Sequence, residues 1–210
     1  MIQILVADDH AIVRRGFVQI INETNDLRVA AEAANADQVL KQLETVPCDV
    51  CVLDISMPGK TGLEILPEIR KLRPNMPVLV LSMHSEEQYA VRALKGGASG
   101  YLTKESAPDQ LIQAIRQVAS GKRYVTPEVA VRLASSIDPS GPKLPHERLS
   151  DREYQVLCMI ASGKSVGDIA KELFLSVKTV STHRARILKK MNLKNNAELT
   201  KYAFSSKLVE

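Results

Sequence analysis

Val50-Cys51-Val52-Leu53-Asp54-Ile55-Ser56-Met57-Pro58-Gly59-Lys60-Thr61-Gly62 is the stretch whose reading decides the fold. Four apolar residues, Val50 to Leu53, end in the carboxylate of Asp54. Pro58 and Gly59 then signal a turn, and a helix follows. A short apolar run closed by a charge reads as a buried parallel strand whose carboxyl end reaches the surface. Open α/β sheets bind ligands at that end of their strands. Asp54 therefore has two readings here: a group that takes part in chemistry, or a carboxylate that caps the next turn.

Working outward, strand-like runs alternate with helical patterns from Ile2 to about Ser120. The strands are read at Ile2–Ala7, Leu27–Glu32, Asp49–Asp54, Pro77–Ser82 and Ser99–Leu102. The helices are read at Ala11–Glu23, Ala36–Thr45, Gly62–Leu72, Glu86–Lys95 and Pro108–Ser120. Thr61 and Glu64 form a capping box for the third helix. Five βα units imply a parallel sheet covered on both faces, and the flavodoxin-like order 2-1-3-4-5 is the common solution.

That order gathers Asp8, Asp9, Asp54, Ser82 and Lys104 around one crevice. Three carboxylates held together repel, which raises a pKa or demands a cation. A hard divalent ion with oxygen ligands, Mg²⁺ above all, resolves the conflict. An acidic surface patch with Lys104 as counter-ion is the plainer alternative, but it requires four strand ends to supply matching groups by accident. With Mg²⁺ and Lys104 neutralising oxygens, Asp54 is suited to accept a phosphoryl group as an acyl phosphate, and Ser82 to bond one of its oxygens. No P-loop or G-x-G-x-x-G is present. His10 is read as a neighbour of the acids rather than a ligand, and His84 as an exposed loop residue.

Length and charge bound the rest. The 210 residues suit one or two domains. No apolar run approaches the roughly 20 residues of a membrane helix, and the N-terminus lacks a basic signal-peptide region. A cytoplasmic protein is expected. Cys48 and Cys51 form a C-x-x-C leading into a strand, and Cys158 is distant, so all three read as packing residues. Residues 1–148 hold 17 basic and 18 acidic side chains, whereas residues 149–210 hold 11 basic and 6 acidic. This asymmetry points to an acidic partner for the second part, with nucleic acid foremost.

Thr126 and Pro127 open a short helix, and Asp138–Pro145, rich in proline, reads as an interdomain linker. From Leu149 the periodicity is helical: a helix capped by Ser150 with Glu153 and ended by Gly163, then Val166–Phe174, Val177–Met191 and Ala197 to about Phe204. Residues 166–191 have helix-turn-helix spacing. On the third of these helices Val180, Ile187, Leu188 and Met191 fall on one side; Lys178, Ser181, Thr182, Ala185, Arg186 and Lys189 fall on the other. Ser176 to Lys194 contains six basic residues and no acid. Such a helix suits a major groove, its cations on phosphates and its short residues against base edges. Arg184 lies on the edge of the apolar side. A basic solvated face is the alternative.

Both halves resemble known families. Asp8-Asp9, Asp54 with Met57-Pro58-Gly59, Ser82, and Tyr101 three residues before Lys104 resemble the receiver domain of bacterial two-component response regulators. The opening VADDH with Val13-Arg14-Arg15-Gly16 is similar to the NarL/FixJ branch. Residues 149–203, around SVKTVSTHRARILKKM, are similar to the LuxR-type helix-turn-helix domain. The resemblance implies that Asp54 accepts a phosphoryl group from a sensor histidine kinase, and that Asp8, Asp9, Asp54 and the backbone carbonyl of Ser56 hold Mg²⁺. It implies that Ser82 and Lys104 sense the phosphoryl group and that Tyr101 turns inward. It implies binding of double-stranded promoter DNA through Lys178, Thr179, Ser181, Thr182, His183, Ala185, Arg186, Lys189 and Lys190, with the last helix pairing two domains. The expected whole is a flavodoxin-like (βα)5 receiver at 1–121, a linker with a short helix at 122–148 and a four-helix all-α DNA-binding domain at 149–210. It is expected to be no enzyme beyond slow self-dephosphorylation, to dimerise when phosphorylated, and to meet RNA polymerase at the promoter. An aspartyl phosphatase is the main rival, but that class needs a second carboxylate where Ser56 stands. A regulator with a relict receiver and an RNA-binding protein are the others.

Overall fold

The computed structural model describes residues 1–83, 86–106, 108–135 and 144–209. His84 and positions 138–143 of the proline-rich stretch lie outside the described residues. The chain forms two compact units, Met1–Leu133 and Ala134–Glu210.

The first unit is a five-stranded parallel sheet in the order β2-β1-β3-β4-β5. The strands are β1 (Ile2–Ala7), β2 (Leu27–Ala33), β3 (Val50–Asp54), β4 (Val78–Ser82) and β5 (Gly100–Thr103). They alternate with α1 (Ala11–Asn22), α2 (Ala36–Thr45), α3 (Gly62–Leu72), α4 (Glu86–Lys95) and α5 (Pro108–Ala119). All residues of β3 and β4 are buried, as the continuous apolar runs require when helices cover both faces. On one face Ile4, Val6, Val52, Leu79, Leu81 and Leu102 pack with Ile21 of α1 and with Leu111, Ile115 and Val118 of α5. This core anchors the strand ends that carry the acids.

Strand edges differ by a residue or so from their sequence reading, for identifiable reasons. Asp49 lies outside β3: its carboxylate accepts the Gln3 N–H at 2.7 Å. β5 begins at Gly100, where a Cβ would stand 2.9 Å from the Tyr124 carbonyl oxygen. Tyr124 bridges β5 there, its N–H donating to the Ser99 carbonyl at 3.0 Å. This covers part of an edge strand and keeps the stretch after position 121 with the first unit. α6 follows (Pro127–Ser135), with Val129 buried.

From position 144 on, the second unit has a 3₁₀ turn, Pro145–Arg148, then α7 (Asp151–Ala161), α8 (Val166–Glu172), α9 (Val177–Met191) and α10 (Asn196–Ser205). α7 packs against both α9 and α10. Each of these four helices is followed by a residue with positive φ: Gly163, Phe174, Asn192 and Lys207. After α8, for instance, the Leu175 N–H reaches back to the Ala170 carbonyl at 2.8 Å. This satisfies orphan carbonyls at the helix end. α8 thus stops two residues short of its sequence reading, because Phe174 takes the left-handed position usually given to glycine.

Candidate functional site

The crevice lies at the carboxyl ends of β1, β3, β4 and β5. Asp8 follows β1 directly, and its N–H donates to the Ala33 carbonyl at 3.0 Å. Asp54 ends β3, and its Oδ1 accepts the Ser56 N–H at 3.2 Å. Ser82 ends β4 fully buried, its carbonyl accepting the Lys104 N–H at 2.8 Å. The Lys104 ammonium stands 2.7 Å from Asp8 Oδ2 and 2.7 Å from Asp54 Oδ2. Its side chain is only 4% exposed, so both pairs operate with little screening by water.

Burial pushes the Asp54 carboxyl above its ordinary pKa; Lys104 pulls it down and Asp8 pushes it further up, with burial winning. For Lys104, burial alone would lower the pKa, but Asp54 and Asp8 overcome it and hold the ammonium firmly charged. Asp9 lies at the rim, its Oδ1 2.8 Å from Nδ1 of the largely exposed His10. The His10 N–H donates to Asp8 Oδ1 at 2.8 Å. Asp8, Asp9, His10 and Asp54 each offer one ligand atom within 4.8 Å of the others. The three acids thus supply a compact set of hard oxygen donors, the chemistry a divalent cation such as Mg²⁺ takes. The structure places His10 beside the acids as the sequence suggests, its backbone N–H on Asp8 and its ring next to Asp9.

The β3–α3 turn is built around close approach. Gly59 has φ +79, and the Gly62 N–H donates to the Ile55 carbonyl at 2.9 Å. The Thr61–Glu64 capping box is present, with the Thr61 N–H donating to Glu64 Oε2 at 2.8 Å. A Cβ on Gly62 would run into the Asp54 carbonyl oxygen and stand 3.0 Å from its carbon. Gly62→Ala is therefore expected to cost about 1–3 kcal/mol through overpacking. It should also displace Asp54; urea melts check the first effect and the Mg²⁺ affinity of the same variant the second.

Tyr101 is buried on β5, opposite Val80. Cys51 is buried with its thiol pKa pushed far up by burial, and burial also raises that of Cys48. Neither thiol is activated.

The second candidate surface is α9. Ser176 caps it, its Oγ accepting the Thr179 N–H at 3.0 Å. Val180, Ile187 and Met191 are buried, and Leu188 is half-buried. Lys178, Ser181, Thr182, Ala185, Arg186 and Lys189 are all exposed on the opposite side. Thr179 and His183 are half-buried at the margins. The Thr182 hydroxyl donates to the Lys178 carbonyl at 2.9 Å. Two basic residues have internal partners. Arg184 Nε donates to Asn196 Oδ1 at 2.6 Å, tying α9 to α10. Lys190 Nζ donates to Glu153 Oε2 at 2.6 Å, tying α9 to α7. The same Glu153 oxygen accepts the Ser150 N–H at 2.8 Å. Burial works against the Glu153 charge, but Lys190 and Ser150 prevail and hold its pKa below the ordinary value.

Residues 4–116 match the model of the response regulator receiver domain, and residues 147–203 that of bacterial regulatory proteins of the luxR family. The response regulator UvrY of Escherichia coli is 37% identical over 204 residues, covering 97% of this chain and 94% of UvrY. The oxygen regulatory protein NreC of Staphylococcus epidermidis is 39% identical over 216 residues, covering 99% of each. RcsB of Salmonella enterica serovar Typhimurium, solved on the promoter rprA with a beryllofluoride phosphomimetic, superposes with a TM-score of 0.64 at 27% identity. That match covers 96% of this chain and 97% of RcsB. Sheet order, acid crevice, helix-turn-helix and these relatives agree: the chain belongs to the NarL/FixJ family of response regulators, a receiver domain followed by a LuxR-type DNA-binding domain.

Proposed function

We propose that the chain is the phosphorylation-switched output of a two-component system, with Asp54 as acceptor. The observation that carries this reading is one buried ammonium, Lys104, shared at 2.7 Å by Asp54 and Asp8 at the carboxyl edge of the sheet. The Asp54 oxygen not held by Lys104 attacks the phosphorus of a kinase phosphohistidine; the P–O bond forms as the P–N bond breaks and the imidazole departs. Asp8, Asp9, Asp54 and the Ser56 carbonyl would hold Mg²⁺, which would supply positive charge near the transferring oxygens. Lys104 bonds one phosphoryl oxygen and Ser82 another. Tyr101, packed inward on β5, belongs to the surface that this repacking remodels. Position 56 offers no second carboxylate to activate water, so at most slow loss of the chain's own phosphoryl group is expected.

Phosphorylation favours a homodimer whose two α9 helices meet successive half-sites of promoter DNA in the cytoplasm, where RNA polymerase is a further partner. Two linked weak binders act as one strong one. Lys178, Thr179, Arg186 and Lys189 sit on phosphates, while Ser181, Thr182 and Ala185 face base edges. His183 lies at the margin of this surface, and Lys190 reaches it only by leaving Glu153. Of the described residues, none forms a helix long and apolar enough to cross a membrane.

The test is incubation with Mg²⁺ and a small acyl-phosphate donor, followed by peptide mapping. One phosphoryl group on the peptide containing Asp54, absent from Asp54→Asn, is the expected result; label elsewhere or none contradicts the reading. A pH profile adds a second check. Only the ionised carboxylate is nucleophilic, and its pKa is raised. Followed without metal, the ionisation of Asp54 should therefore have its midpoint above the roughly 3.9 of an ordinary aspartate.

A further inference from the structure

Arg14 has no place in the phosphoryl chemistry, yet it is bonded to the loop that carries two of the acids. Its Nη1 donates to the backbone carbonyl of Asp8 at 2.6 Å. Its Nε donates to Glu32 Oε2 near the end of β2 at 3.0 Å. The side chain is mostly covered, and Glu32 balances its charge. The carbonyl it grips belongs to the peptide plane joining Asp8 to Asp9. The other side of Asp8 is already fixed by its N–H on Ala33. With both ends held, rotation of the plane is restrained, and with it the Cα–Cβ directions from which both carboxylates project.

We infer that Arg14, buttressed by Glu32, is a positioning residue that preorganises Asp8 and Asp9 for the cation. The inference rests on the reading of those acids as Mg²⁺ ligands. Mg²⁺ demands near-ideal octahedral geometry and tolerates poorly aimed ligands badly, so its affinity is sensitive to this restraint. A guanidinium acting only as a nearby positive charge would have the opposite effect, because its removal would strengthen cation binding. The sign of the change separates the two roles.

The experiment is calorimetric titration of the full-length protein with Mg²⁺ alone, with urea melts in parallel. Arg14→Met is expected to lose about 10–100-fold in Mg²⁺ affinity, the usual consequence of removing a group that orients metal ligands. Arg14→Lys should recover part of the loss, since an ammonium still reaches one acceptor. Glu32→Gln should lose less than Arg14→Met, because the Asp8 carbonyl keeps its donor. Unchanged or tighter binding in Arg14→Met overturns the inference. If that variant does not fold, unchanged affinity in both Arg14→Lys and Glu32→Gln overturns it. A wild-type chain that binds no Mg²⁺ overturns the reading of the site itself, and the inference with it.

Discussion

Replacing Lys104 with methionine is expected to cost the receiver about 3–5 kcal/mol of stability in metal-free buffer near neutral pH. The ammonium is the cation that sits between Asp8 and Asp54, at 2.7 Å from each. Both carboxylates are about 1% exposed. Without it two buried anions face each other, and the Asp54 carboxyl, already raised by burial, rises further. The pH dependence follows from that direction. A carboxyl whose folded pKa is raised destabilises the fold once ionised, so the penalty is complete above the raised pKa. It shrinks as pH falls through that value toward the roughly 3.9 of the unfolded chain. Mg²⁺ should restore much of the loss, since a ligand that binds only the folded state stabilises it by mass action. Denaturant titrations of the variant with and without Mg²⁺, across pH, check all three statements. A variant as stable as the wild type without metal contradicts them.

The second large effect concerns α9. Replacing Lys178, Arg186 and Lys189 together with alanine should lower the slope of log affinity against log salt by about 0.9 for each phosphate no longer neutralised. Affinity should fall alike for specific and non-specific duplexes. All three side chains are exposed, so the fold should change by no more than about 0.5 kcal/mol per site. Changes at Ser181, Thr182 or Ala185 should instead shift base preference, each specific contact contributing about 1–3 kcal/mol of discrimination. Salt-dependent binding curves on two duplexes separate the classes. Triple-variant binding with an unaltered slope would remove α9 from the interface.

What the sequence makes legible is what local patterns encode. The continuous apolar runs at 50–53 and 78–81 mark strands buried on both faces. The Thr61–Glu64 and Ser150–Glu153 spacings mark helix starts that the structure contains. The 3.6-residue period separates Val180, Ile187 and Met191 from the exposed front of α9. Pairings between distant residues leave no such trace. Nothing periodic tells that Arg14 grips the Asp8 carbonyl, that Lys190 joins Glu153 or that Arg184 joins Asn196. The sequence reading places Lys190 on the cationic surface and leaves Arg184 at its apolar edge, whereas tertiary packing gives each an internal partner. Tyr124 likewise reads as linker in the sequence, because its bridge to β5 depends on a strand edge that only the folded sheet creates.

Under the proposed function, an anion acquired at Asp54 alters the grip of the second domain on DNA. Its most direct test is operator binding by the full-length chain, wild type and Asp54→Ala, with and without Mg²⁺ and beryllofluoride. Beryllofluoride should tighten binding by the wild type and leave Asp54→Ala unaffected. Equal affinity of the wild type in both states, with beryllofluoride shown to occupy the receiver, would contradict the account.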